Sequence, residues 1–114
     1  MKLHYLEIVS PAVDALCKQY EAVHNASFSE PDEMLGGART CTLNDESIVG
    51  IRRPLRDTET PIIRPYWLVE DINKAVKNME NEGAKIAMRP IKIPGKGTFA
   101  IYIQGGTENG LWQL

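Results

Sequence analysis

The sequence predicts an α+β domain in which one strand–helix–strand module occurs twice, and three observations predict it. The two halves align without gaps at an offset of sixty residues, which sets Val9 on Val69, Ala15 on Ala75, Gly37 on Gly97 and Gly50 on Gly110. The hydrophobic period changes from two to 3.6 and back in the same order in both halves. The length, 114 residues, has room for one domain that buries roughly two-thirds of its unfolded surface. A repeat this long, present only twice, reads as a duplicated module and not as a solenoid. The expected organisation is one domain, 1–114, made of βαβββ modules 1–57 and 61–114.

The elements follow in order. Leu3 to Val9 is a short apolar run ending in β-branched residues, a strand. Pro11 suits a helix start, and Ala12, Ala15, Leu16, Gln19, Tyr20 and Val23 recur at helical spacing. Gly36-Gly37 opens a strand through Leu43, Asn44-Asp45 turns it, and Ser47 to Arg53 returns. Beyond the polar stretch Pro54 to Pro61, Ile62 to Val69 is a strand. Asp71 is a good N-cap for a helix carrying Ile72, Ala75, Val76 and Met79, which Gly83 stops. Strands over 84–89, 98–103 and 109–114 complete the second module.

Composition excludes several function classes. A net charge of −2 gives no nucleic-acid or anionic-membrane surface, and no apolar run nears the roughly 20 residues of a membrane helix. The start of the chain has no signal-peptide h-region. Arg52, Arg53 and Arg56, interleaved with Pro54 and followed by Asp57 and Glu59, read as a solvated loop with a candidate anion site as the sharper alternative. Cys17 and Cys41 show no CxxC spacing and read as reduced thiols, which fits a cytoplasmic protein. No GxSxG is present, and Pro94-Gly95-Lys96-Gly97 lacks P-loop spacing, so it is a turn.

Particular segments carry a family resemblance: Leu3 to Ile8, Arg64 to Ile72, Ala75-Val76, Gly83-Ala84, Gly97 to Tyr102, and the closing Gly110-Leu111-Trp112-Gln113. Their order over nearly the whole chain resembles the vicinal oxygen chelate superfamily, that of glyoxalases, bleomycin-resistance proteins and dioxygenases. The resemblance implies a pseudo-two-fold pair of modules whose mixed sheet curves into a cup with helices outside. In metal-dependent members the first and last strands of each module supply His, Gln or Glu ligands. The corresponding positions here are His4, Arg64, Gly50 and Gly110. A guanidinium is a donor only and glycine has no side chain, so one imidazole remains where a site needs three or more ligands. No metal and no cofactor are therefore expected.

Alternation along the strand puts His4 with Leu6 and Ile8, and the offset matches them to Arg64, Tyr66 and Leu68. The candidate ligand-binding residues are His4, Leu6, Arg64, Tyr66, Tyr102, Trp112, Gly50 and Gly110. Such a lining suits a small planar or aromatic ligand whose anionic group meets Arg64; equally, Arg64 pairs with Glu7 or Glu108. The first expectation is a metal-independent small-molecule-binding protein acting as a homodimer. The second is a metal-independent lyase, isomerase or hydrolase with His4 as general base. The third is a metal enzyme using His4 with Glu7 or Glu108.

Overall fold

A computed structural model describes residues 1–114. Seven strands and two helices form an α+β fold with a mixed sheet: β1 (Lys2–Val9), α1 (Val13–His24), β2 (Arg39–Thr42), β3 (Ile48–Arg52), β4 (Ile62–Leu68), α2 (Ile72–Asn81), β5 (Lys85–Ile93), β6 (Gly97–Gln104) and β7 (Thr107–Gln113). No helix is long and apolar enough to cross a membrane. The chain packs as two compact units, Leu6–Ile63 and Met1–Tyr5 with Arg64–Leu114, so the first five residues pack with the second module.

In Leu6–Ile63 the strand order is β2-β3-β1. Helix α1 has no side-chain N-cap; the Ser10 hydroxyl accepts from Ala12 N just ahead of it, and Asn25 ends it in the left-handed region. Its buried Val13 and Cys17 pack with Ile8, Phe28, Cys41, Val49 and Ile51. The segment before β2 is a reduced strand: Ser29 N donates to Thr40 O, and Asp32 makes one bridge with Ala38. The first module therefore carries two full strands after its helix and only a bridge where the second module has β5.

In the other unit the order is β1-β4-β7-β6-β5. Strands β4 and β7 run parallel, with Tyr66 opposite Gly110, and β5, β6 and β7 form an antiparallel meander. Asp71 caps α2 through Lys74 N, as expected, and the Gln113 side chain accepts from Ile72 N. Ile72 and Val76 pack with Ala84, Ala100, Tyr102 and Leu111. Strand β5 runs on past 89, because Pro90 falls within an irregularity of the pairing on this edge strand.

The offset of sixty does not hold throughout. The helices correspond at fifty-nine, since buried Val13 and Cys17 match buried Ile72 and Val76. So do the first strands, where Ser10 N donates to Arg52 O and Val69 N to Trp112 O. Those same two acceptors place the last strands at sixty. The structural counterpart of Arg64 is therefore Tyr5 and not His4.

Arg52 is not a solvated loop residue. It lies at the end of β3 with 6% of its surface exposed. Its Nε donates to Glu7 Oε2 at 2.7 Å, while Nη1 and Nη2 hold both oxygens of Glu59 at 2.9 and 2.8 Å. Nη1 also meets the Arg53 carbonyl, and Glu59 Oε1 accepts from Leu55 N, which ties the 54–59 loop down. A guanidinium so occupied is not an anion site; only the neighbouring Arg53 and Arg56 face water. Removing one member of a buried ion network strands the rest. Arg52→Met should cost about 3 kcal/mol or more in urea unfolding. The exposed pair Arg89–Glu80 should be removable without measurable loss. Equal effects of the two changes would contradict the assignment.

Candidate aromatic binding face

The face of β1, β4 and β7 turned away from α2 carries a cluster of rings. Alternation from Arg64 leads to Tyr66, and from Gly110 to Trp112, on one face, while Trp67 and Leu111 turn to the helix-side core. Tyr5, Tyr66 and Trp112 are all buried, and Phe99 on β6 is half-buried. Tyr66 lies edge-on to Tyr5 at 5.9 Å, to Phe99 at 6.1 Å and to Trp112 at 5.6 Å between ring centroids. Trp112 also meets Tyr5 at 5.4 Å and the His4 imidazole at 5.3 Å. Tilted and edge-on contacts at such distances are the favourable geometry for aromatic quadrupoles.

Two glycines make room for these rings. A Cβ on Gly110 would overlap the Tyr66 ring, so the glycine lets the phenol lie across β7. Gly97, at φ +129°, has no space for a side chain against the Gln113 carbonyl and Trp112 Nε1. The indole donates to the Lys96 carbonyl at 3.0 Å, which pins the turn and spends the Trp112 donor.

Among the charged and polar groups, Arg64 is buried and its Nη2 donates to Glu108 Oε2 at 3.3 Å. The chain therefore supplies a carboxylate of its own to Arg64, the alternative the sequence left open. Burial, helped by the charge of Lys2, holds His4 below the ordinary imidazole value, so its ring is mostly neutral near pH 7.

The residues expected from sequence divide as follows. His4, Tyr66 and Trp112 come into ring contact, Gly110 lies under Tyr66, and Arg64 shares the Tyr66 face of β4. Tyr102 turns to the helix-side core, where burial raises its phenol pKa. Leu6 packs against the α1 core, and Gly50 sits opposite Thr40 in the β2–β3 pair. Tyr5 and Phe99 were not expected. Alternation from Tyr102 puts Phe99 on the opposite face of β6, against Tyr66; finding Tyr5 required the offset of fifty-nine.

At the positions that the family resemblance assigns to metal ligands, His4 offers one imidazole, Arg64 a donor-only guanidinium, and Gly50 and Gly110 no side chain. Nowhere do three of His, Cys, Asp and Glu gather around a common point. Glu7, an acid on a first strand, is bound to Arg52, and Arg64 and Trp112 offer a cation and an aromatic ring.

No protein-family model matches the sequence, and no curated protein sequence does. Solved structures do match. A hypothetical protein from Bacillus halodurans aligns at a TM-score of 0.79 and 12% identity over 99% of this chain and 94% of that one. Methylmalonyl-CoA epimerase from Mycobacterium tuberculosis aligns at 0.73 and 14%, over 97% and 86% of the two chains. A methylmalonyl-CoA epimerase from Streptomyces coelicolor, in complex with 2-nitronate-propionyl-CoA, aligns at 0.76 and 14%, over 99% and 94%. The chain has the glyoxalase/bleomycin-resistance fold.

The contact between Gly110 and Tyr66 has a direct consequence. Gly110→Ala should lower stability by about 1–3 kcal/mol, the usual cost of overpacking. Tyr66→Leu should recover part of that loss when the two changes are combined, because the ring is what the new methyl strikes. Additive losses in a denaturant double-mutant cycle would show that the ring does not lie there.

Proposed function

We propose that the protein is a metal-independent small-molecule-binding member of the glyoxalase/bleomycin-resistance superfamily that takes a small planar aromatic ligand. The carrying observation is the cluster of Tyr5, Tyr66, Phe99 and Trp112 around a glycine. Aromatic rings in an apolar setting recognise flat ligands through stacking and edge contacts, with a few polar groups fixing orientation. His4 and Arg64 are those polar groups. The protein acts as a homodimer in the cytoplasm, a reading supported by its small size and by two free, buried cysteines suited to a reducing compartment.

A second reading is an isomerase-type enzyme with His4 as general base. It is supported by the epimerase neighbours and by the lowered His4 pKa, which leaves an imidazole able to accept a proton at neutral pH.

One set of measurements on purified protein tests these readings. Calorimetric titration with nitrobenzene should show saturable binding, weakened about tenfold or more by Tyr66→Ala, and unchanged by chelator. Metal analysis should find no stoichiometric Zn, Ni, Fe or Mn, and light scattering should read a dimer. Absence of binding, or binding that needs a metal, would overturn the first reading. Under the second, turnover of a candidate substrate is lost in His4→Ala while ligand binding persists. Its rate falls only below the ordinary imidazole range, because the lowered pKa keeps the base unprotonated within it.

A further inference from the structure

Asn109 is the one asparagine of six that precedes a glycine, and the fold itself requires that glycine, since a Cβ on Gly110 would overlap the Tyr66 ring. An Asn-Gly pair is the arrangement most prone to cyclisation of the side-chain amide, because no Cβ shields the following backbone nitrogen. The structure holds this pair closed. Gly110 lies inside β7, opposite Tyr66 on β4 and opposite Ile101 on β6. An extended strand has ψ of roughly +115 to +135°, and ring closure needs ψ of Asn109 turned far from there.

The side chain is held as well. Its Oδ1 accepts from Trp67 Nε1 at 3.2 Å, and its Nδ2 donates to Thr107 Oγ1 at 3.2 Å. Thr107 in turn donates to the Gln104 carbonyl at 2.9 Å, so one run of hydrogen bonds ties β4 through Asn109 to the β6–β7 turn. Trp67 is packed against the α2 core, which fixes the donor. Breaking the run frees the carboxamide, and attack then needs only a local parting of β7 from its neighbours.

We infer that Asn109–Gly110 is a deamidation site, kept latent by the closed sheet and by the bonds to Trp67 and Thr107, which converts when β7 opens. The site is independent of the binding role proposed above. The Gly110 nitrogen attacks Asn109 Cγ, the Cγ–Nδ2 bond breaks, and the Gly110 proton departs with Nδ2 as ammonia, leaving a succinimide. Water opens the ring at either carbonyl and gives aspartate or isoaspartate. Neither product restores the closed strand. Aspartate cannot donate to Thr107, and it places a second half-buried acid beside Glu108. Isoaspartate lengthens the backbone by one carbon, which puts Leu111 and Trp112 out of register with β4 and β6. The step runs one way, so a molecule whose β7 has opened is permanently marked.

Purified protein is held at mildly alkaline pH, folded in buffer or unfolded in guanidinium chloride, and conversion at each asparagine is followed by peptide mass mapping. In guanidinium chloride Asn109 should convert first of the six. It should do so about a hundredfold or more faster than in the folded protein, as expected for a strand paired on both sides. Thr107→Val and Trp67→Phe should each raise the folded rate several-fold and leave the denatured rate unchanged. Glu80→Gln, in the exposed pair with Arg89, should change neither. Unfolding curves give the unfolded fraction of each variant, and the rise in rate should exceed the rise in that fraction. If Trp67→Phe does not fold, Thr107→Val, at an exposed position, decides alone. Asn109→Asp should lower the melting temperature. Equal rates in the folded and denatured protein, or another asparagine converting first, overturn the inference. Folded rates that stay unchanged, or rise no more than the unfolded fraction, also overturn it, because the two bonds would then hold nothing. An unchanged melting temperature in Asn109→Asp overturns the one-way character of the step.

Discussion

Each module joins its first strand to its last, and the contact across that joint is the constraint on which the rest depends. The partners lie far apart in sequence, so their pairing forgoes the entropic advantage of a tight hairpin. In one module the joint is Glu7 with Arg52; at the equivalent place in the other it is Tyr66 with Trp112. One joint is ionic and the other aromatic, yet each buries two large side chains at the same position in the module. The ionic joint is satisfied by recruiting Glu59 from the following loop. The aromatic joint has no such need and draws in more rings instead.

That difference has consequences for each unit. A buried ion network tolerates little rearrangement, since each lost bond leaves a desolvated charge. Arg52, held by two carboxylates and a carbonyl, is therefore a structural residue despite its charge. Rings packed at tilted angles carry no such penalty. The interlocked ring cluster lies in the unit of Arg64–Leu114 with the first five residues.

The fold was legible because it rests on features that survive small insertions: the switch of hydrophobic period, the Asp71 cap, Gly83, and the glycine turns. Register was not. Ala15 and Ala75 match in letters, but Ala15 is exposed while Leu16 and Cys17 face the core, so the helices correspond one residue earlier. A period of two converts that single residue into the opposite face of a strand. This is why His4 was set against Arg64 when Tyr5 is its counterpart. Arg52 was illegible for another reason: its partners lie seven and forty-five residues away, and nothing local distinguishes it from its exposed neighbour Arg53.

Of the site itself, the sequence carried the residues with distinctive chemistry and missed those whose role is shape. Tyr66, Trp112 and His4 announce themselves as rings in strands. Gly110 was visible only as a missing ligand, although its contribution is the space that the Tyr66 ring fills. Of the four positions that the family resemblance assigns to metal ligands, His4 and Arg64 carry side chains, and Gly50 and Gly110 carry none. The two buried arginines both meet glutamates, Arg52 meeting Glu7 and Glu59 and Arg64 meeting Glu108, but the contacts differ in length. The Arg52 pair is short and inaccessible, and the Arg64 pair is long and open to water on the acidic side. The duplicated module thus commits one arginine to a closed network and leaves the other beside a half-exposed carboxylate.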